Sequence, residues 1–116
     1  MSTDYHEPAS ELSKEARDMT RALRSLIEEV EAVLWYMQRI DVATDEELKD
    51  IMQHNAEEEM EHAMMSLEWL RRNQKGWDEN IRTYLLKDKP ILELEEETTS
   101  EENSSTDSTS LDIGEL

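Results

Sequence analysis

The sequence predicts an all-α fold: a two-helix antiparallel hairpin followed by one short C-terminal helix. Three observations predict it. The 116 residues include only two Gly and two Pro, so few positions break a helix. Apolar residues recur at three- and four-residue steps through most of residues 9–73. One short interruption, residues 41–45, divides that pattern, and a short connection makes consecutive helices antiparallel neighbours.

The first helix is predicted from Ala9 to Ile40. Pro8 is of the residue type favoured at the start of a helix. Residues 1–8, which precede the predicted helix, are expected to form a disordered N-terminus. One stripe of this helix is apolar except for a single acid, Glu29. A carboxylate inside an apolar stripe costs free energy unless something pairs with it, and a metal ion would do so. The stripe consists of Ala22, Leu26, Glu29, Val33 and Tyr36.

The second helix is predicted from about Asp45 to Asn73. Thr44 followed by Glu47 matches a capping box, which makes Thr44 the expected N-cap. Gly76 is the expected left-handed cap at the C-terminal end. A shorter helix over residues 77–87 and a closing Pro90 complete a helical domain predicted at 9–90.

The last quarter of the chain differs in composition. Residues 91–116 hold nine acids and no Lys or Arg. We expect residues 91–109 to form an acidic, Ser/Thr-rich disordered linker. Three aliphatic residues return in Ser110–Leu116, a pattern typical of a short docking peptide at the end of a linker.

Bulk composition narrows the function classes. A net charge of −18 argues against nucleic acid or an anionic membrane as partner. The absence of Cys excludes thiolate zinc sites and iron–sulfur clusters. No segment has the pattern of a signal peptide or a membrane span, which favours a cytoplasmic protein. Hydrophobic residues make up 36% of the chain, a low share that favours oligomerisation.

The motif that points to chemistry is Glu59-x-x-His62 on the second helix. Side chains three apart lie on one helical face, so a carboxylate and an imidazole can bind one metal ion. Counted from the turn, Glu29 and Glu59 are expected at nearly the same height. One Glu plus one Glu-x-x-His is half of a carboxylate-bridged di-iron ligand set. The hypothesis is that a second copy completes a four-helix bundle and the site.

Other readings of the same residues remain open. The acids also fit a solvated helix surface, in which case the protein is a non-enzymatic acidic helical adaptor that docks a partner through its tail. A metal site could instead hold Mn or Zn, because ligand type alone does not select the metal. Tyr36 is by default a packing residue, and Glu28 and Glu31 are by default solvated. His54 lies some 80° around the helix from His62 by the 3.6-residue period and fits an ordinary surface residue.

Three blocks of the chain resemble encapsulated ferritins, which are two-helix ferritin-like proteins packaged inside encapsulin shells. The blocks are residues 28–39, 54–63 and 67–73, and the resemblance covers about residues 7–90. It implies a ferroxidase that oxidises Fe(II) to Fe(III), with two iron ions per dimer interface and Ca, Mn or Zn as substitutes. The implied ligands are Glu29, Glu59 and His62. Implied neighbours are Tyr36 and Trp35, and implied residues of an iron access route are Glu28 and Glu31.

The resemblance also implies the partners. Members of this family form dimers that assemble into an annular decamer, and the encapsulin shell, rather than the ferritin-like protein, stores the iron mineral. Ser110–Leu116 is similar to encapsulin-targeting peptides, although Glu115 stands where those peptides often have a small or basic residue. The protein is therefore expected in the cytoplasm, inside an encapsulin nanocompartment.

Overall fold

The computed structural model describes residues 4–104, with side chains through residue 99. This part of the chain is all-helical: four α-helices, one 3-10 turn and no strand. The all-α prediction is confirmed. The chain divides into two compact units, residues 1–69 and 70–116, which are described separately. In the described part, no helix is long and apolar enough to cross a membrane. The helices are α1 (Lys14–Val42), α2 (Glu46–Asn73), α3 (Lys75–Tyr84) and α4 (Ile91–Ser104).

Helix α1 begins later than the sequence predicts because Ser13 is its N-cap. The Ser13 hydroxyl accepts a hydrogen bond from the Ala16 amide at 3.0 Å, which satisfies one free N–H of the first turn. Pro8 instead precedes a 3-10 turn, Ala9–Glu11. The Arg17 guanidinium fixes that turn, since its Nε donates to the Ala9 carbonyl at 2.9 Å.

The N-terminal segment is tied to α1 at a second point. Arg24 Nε donates to Asp4 Oδ1 at 2.9 Å. The pKa of Arg24 is raised, first by the hydrogen bond to Asp4 and then by its charge, with Glu28 and Glu31 adding to the effect. Residues 1–8 are expected to be disordered, but Asp4 is held by Arg24. Sequence pattern does not predict this contact, because the two residues are twenty positions apart.

The hairpin turn is tighter than expected, and a different residue caps α2. The Leu48 amide donates to Asp45 Oδ2 at 2.8 Å, so Asp45, and not Thr44, acts as the side-chain cap. Both residues are good cap types, but α1 continues to Val42 and α2 begins at Glu46. That leaves Asp45 as the residue next to the first turn.

Within the first unit, α1 and α2 pack as antiparallel neighbours. Ser66 of α2 contacts Glu29 of α1. Nearer the N-terminal end of α1, the two helices line a shared groove with Ala22, Ser25, Met65 and Trp69. Few residues are buried. The core of this unit contains Met19, Ala56 and Ala63, whereas many large apolar side chains on both helices are exposed. These exposed residues include Ile27, Val30, Leu34, Trp35, Met37, Leu48, Ile51, Met60, Met64 and Met65.

In the second unit, α2 ends and α3 begins without the predicted glycine cap. Gln74 takes an extended backbone as the N-cap of α3, so the chain turns at Gln74 and resumes as helix. Gly76 lies inside α3 and has no positive φ. The left-handed residue of the described chain is Leu86, with φ of 59° and a fully exposed side chain.

Residues 91–104, expected to be disordered, form helix α4. Pro90 starts this helix, since the Glu93 and Leu94 amides donate to its carbonyl at 3.0 and 3.3 Å. Leu94 is buried, and α4 contacts α3. Lys89 pairs with Glu97 at 2.7 Å. The predicted docking peptide, Ser110–Leu116, lies outside the described residues.

Candidate metal centre

Glu59 and His62 lie together on one face of α2, as their spacing predicts. His62 Nδ1 is 3.8 Å from Glu59 Oε2. The Glu59 side chain is half-buried and that of His62 is more exposed. A carboxylate oxygen and an imidazole nitrogen at this separation present two metal donors from rigid helical positions.

Glu29 of α1 meets the same face of α2, at Ser66. The Ser66 hydroxyl is 3.0 Å from Glu29 Oε2 and 3.2 Å from Oε1 and donates to this carboxylate. Ser66 is one turn beyond His62 along α2. The hydrogen bond therefore directs Glu29 towards the stripe that carries Glu59 and His62.

Glu29 is expected at the height of Glu59, but the residue of α2 that it contacts is Ser66. Ser66 lies seven residues beyond Glu59, or about 10 Å by helical rise. Side chains lean towards the N-terminus of their own helix. Because α1 and α2 are antiparallel, Glu29 leans towards the C-terminal end of α2 while Glu59 leans the other way. Counting residues from the turn compares Cα positions and misses this effect.

Ser66 is a partner that the sequence did not assign. A signal for it exists, because Ser66 is a short polar residue in the same helical stripe as Glu59 and His62. Its pairing with Glu29 could be identified only from the register of the two helices. In the residues that the structure describes, no three His, Asp or Glu side chains of one chain converge to hold a metal ion.

The remaining predicted residues, Tyr36, Trp35, Glu28 and Glu31, are all on α1. Tyr36 is half-buried, and its ring packs 5.6 Å from the Arg39 guanidinium carbon. Trp35 is about half exposed. Glu28 is exposed and Glu31 half-buried, and both act electrostatically on Arg24. They form an acidic surface that includes one arginine.

His54 belongs to a separate pair on α2. His54 Nε2 is 2.9 Å from Glu58 Oε1, and both side chains are mostly exposed. This pair has the same residue types as Glu59 and His62, at i,i+4 instead of i,i+3. It provides a matched control for tests of the candidate site.

The donor set is chemically consistent with a first-row transition metal. Carboxylate oxygens and neutral imidazole nitrogens bind Fe, Mn and Zn. In ferritin-like di-metal bundles, the ligands are one Glu from each of two helices and Glu-x-x-His from each of the other two. One chain carries half of that number, in Glu29 and the pair Glu59 and His62.

Comparison with known proteins identifies the relatives of the chain. The EncFtn-like family model matches residues 4–88. A protein of Thermotoga maritima named "Ferritin-like protein" is 61% identical over 98 residues, which cover 84% of this chain and 86% of the relative. A Rhodospirillum rubrum protein named "Encapsulated ferritin-like protein" is 49% identical over 106 residues, covering 91% of this chain and 76% of the relative.

A solved structure is also similar to this chain in both sequence and fold. The crystal structure of a Nitrosomonas europaea protein is 53% identical and superposes with a TM-score of 0.74. The match covers 75% of this chain and 96% of that one. At this level of identity, the shared fold and shared sequence have a common origin. The chain belongs to the EncFtn-like family, the encapsulated ferritins that its sequence resembles.

Proposed function

We propose that the protein is a ferroxidase that oxidises Fe(II) at a di-iron site formed between two subunits. The observation that carries the proposal is the pairing of Glu59 with His62 on the face of α2 that Glu29 contacts. Membership of the encapsulated ferritin family supports iron as the substrate. One chain provides half of a ligand set, so a second copy is needed to complete it.

Two copies would contribute four carboxylates and two imidazoles. The four negative charges of paired Glu29 and Glu59 offset the four positive charges of two Fe(II) ions, which lowers the cost of burying the metals. Oxygen donors favour Fe(III) over Fe(II), so bound iron is readily oxidised. Dioxygen is the proposed oxidant: four Fe(II) donate four electrons, and four protons taken from solvent complete the reduction of one O2 to two waters.

The chain's own residues would prepare this site in two ways. Ser66 holds the Glu29 carboxylate towards the metal face by donating a hydrogen bond to it, as partners of metal ligands commonly do. Glu28 and Glu31 place negative charge on the surface of α1, which attracts divalent cations. Tyr36 lies two turns from Glu29 on α1 and is proposed to line the same interface.

The exposed apolar residues of α1 and α2 support the second copy as the partner of this face. An unpaired hairpin with so small a core leaves a large apolar area in water, which association would bury. We propose a dimer as the functional unit and an annular decamer as the assembly. The product Fe(III) would mineralise outside this protein, in an encapsulin shell docked through Ser110–Leu116.

The name of the Rhodospirillum rubrum relative, which describes it as encapsulated, supports the packaging part of the proposal. Deletion of residues 110–116 should leave iron oxidation unchanged and prevent co-purification with encapsulin. Co-expression followed by shell purification measures this directly. Equal loading of the truncated chain would contradict the docking role.

Glu59→Ala or His62→Ala should abolish rapid iron oxidation. Fe(II) is added anaerobically to metal-free protein, the mass is followed by size-exclusion chromatography with light scattering, and air is then admitted while absorbance is recorded. Glu58→Ala and His54→Ala are the controls, since they remove the same residue types from the other pair. We expect near-normal oxidation in both controls.

Other outcomes would overturn the assignment. Unchanged progress curves in Glu59→Ala or His62→Ala would remove the proposed ligands. A fixed oligomer that oxidises iron no faster than buffer would favour the non-enzymatic adaptor. Assembly with Mn(II) or Zn(II) but no oxidation of Fe(II) would favour a structural metal site.

A further inference from the structure

The end of α2 and the start of α3 concentrate positive charge in an otherwise acidic chain. The side chains around this point line one open cavity of about 580 Å³, here called the junction cavity. Residues 71–82 carry four bases and two acids, whereas the whole chain has a net charge of −18. The cationic lining residues are Arg71, Arg72, Lys75 and Arg82.

Asp78 organises two of these cations. Its Oδ1 atom accepts from Arg71 Nη1 at 2.5 Å and from Arg82 Nε at 2.9 Å. These hydrogen bonds, Arg71 first, lower the pKa of Asp78, because both guanidinium groups stabilise its charged carboxylate. Both guanidinium groups are therefore held at the cavity before any ligand arrives. Arg82 donates to Asp78 through Nε and is 69% exposed, which leaves its terminal nitrogens accessible.

The start of α3 adds to this positive field. Gln74 provides no side-chain cap, and the Asp78 amide makes the first backbone bond of the helix, to the Gln74 carbonyl at 3.2 Å. The amides before Asp78 therefore lie at the positive end of the helix dipole. Apart from its two chain neighbours and the backbone of its own helix, nothing lies within 4 Å of the position that a Cβ would take at Gly76, so a ligand can approach the backbone there closely.

We propose that the junction cavity binds small phosphate-bearing anions, of which inorganic phosphate and pyrophosphate are the simplest. The carrying observation is the set of four cationic side chains on one cavity, two of them fixed by Asp78. Guanidinium groups match phosphate oxygens with paired N–H donors. Several cations on an open cavity suit a group with two or three negative charges. The site is independent of the proposed iron chemistry.

The test is calorimetric titration of the full-length, metal-free protein with phosphate and with pyrophosphate, in a buffer free of other oxoanions. We expect saturable binding, tighter for pyrophosphate, that weakens with added sulfate more than with equal ionic strength of chloride. Arg82→Gln should weaken it roughly tenfold, the order expected for losing a hydrogen bond to a charged group. Arg71 is left intact so that its pair with Asp78 survives.

Arg21→Gln is the matched control. Arg21 pairs with Asp18 on α1 and is 67% exposed, close to the exposure of Arg82, so the variant removes the same charge from a similar ion pair elsewhere. Its phosphate affinity should equal that of the unaltered protein. Circular dichroism of both variants verifies that helicity is retained.

A nucleoside diphosphate that binds as tightly as pyrophosphate would support recognition of the phosphoryl group whichever molecule carries it. Absence of saturation, or equal weakening by Arg21→Gln and Arg82→Gln, would overturn the proposal, because either result means that only the overall charge is sensed. Binding of an acidic peptide without binding of phosphate would also overturn it and would identify the cavity as a protein-docking surface.

Discussion

Ser66 illustrates how a single hydroxyl can position a candidate metal ligand. Its hydrogen bond to Glu29 spans two helices and fixes which way a flexible carboxylate extends. A carboxylate that accepts this bond keeps lone pairs for a metal ion. If the di-iron proposal holds, Ser66 is a positioning residue, because it acts through Glu29 and does not bind the metal itself.

Ser66→Ala should weaken metal binding by roughly tenfold, the lower end of the effect seen when a ligand's hydrogen-bond partner is lost. Anaerobic titration with Co(II), followed by its visible absorption, measures affinity without relying on catalysis. Ser66→Thr keeps the hydroxyl and should restore most of the affinity. Equal affinity in the Ala variant and the unaltered protein would exclude the positioning role.

At the scale of helices, the ends are where the structure departs most from sequence pattern. Asp45→Ala should destabilise the fold by about 1 kcal/mol, the usual effect of losing an N-cap side chain, because the Leu48 amide would lose its acceptor. Thr44→Ala is the control and should have little effect. Urea denaturation followed by circular dichroism measures both. A larger loss of stability in the Thr44 variant would mean that Thr44 is the N-cap, as the sequence predicts.

Helix α4 offers a comparison between two leucines two residues apart. Leu94 is 4% exposed and Leu92 is 74% exposed. Leu94→Ala should remove about 2 kcal/mol or more of packing free energy and reduce amide hydrogen-exchange protection in residues 91–99, whereas Leu92→Ala should change little. Equal protection in the two variants would mean that α4 does not pack through Leu94.

The sequence predicts the interiors of the helices better than their ends. Periodicity predicts α1 and α2 well because their apolar positions recur over many turns. Sequence pattern predicts Pro90 as the end of the ordered region, yet proline both follows helices and begins them. The Glu-rich composition after it suggested disorder, but one buried residue, Leu94, and one ion pair, Lys89 with Glu97, anchor α4. The composition of a segment does not reveal single contacts of this kind, so it cannot predict that α4 is ordered.

The candidate site was predictable in part for the same reason. Glu59 and His62 are neighbours within one helix, so their spacing is sufficient to bring them together. The contact between Glu29 and Ser66 depends on the register of two helices and on the direction in which side chains lean. Spacing along the chain contains neither. Local geometry was therefore predictable, and cross-helix geometry required the structure.

At the scale of the molecule, the contrast between a small core and a broad apolar surface is the main energetic feature. The buried apolar residues of the described chain are five, three of them in the first unit. Isolated two-helix hairpins gain little from so small a core. The proposed second copy would supply the missing contact area as well as the missing ligands.

Leu34→Glu should shift the protein towards monomers, because it places a charge in the exposed apolar surface of α1 that the proposed dimer would bury. Arg21→Gln is the control, because it changes the net charge by the same amount at an exposed position about 140° around α1 from Leu34 by the helical period. Sedimentation velocity over a range of concentrations measures the association constant. Equal association of the two variants would move the interface away from this part of α1.

The exposed apolar stripe of the hairpin also bears on biosynthesis. A newly translated chain that has folded alone still presents Trp35 and several methionines to solvent, as an aggregation-prone intermediate would. In the proposed dimer, its lifetime in that state depends on how soon another copy reaches it, and therefore on how many ribosomes translate the same message at once. Sparse synthesis should favour loss to chaperones and proteases, whereas clustered synthesis should favour assembly, so yield should rise more steeply than message abundance.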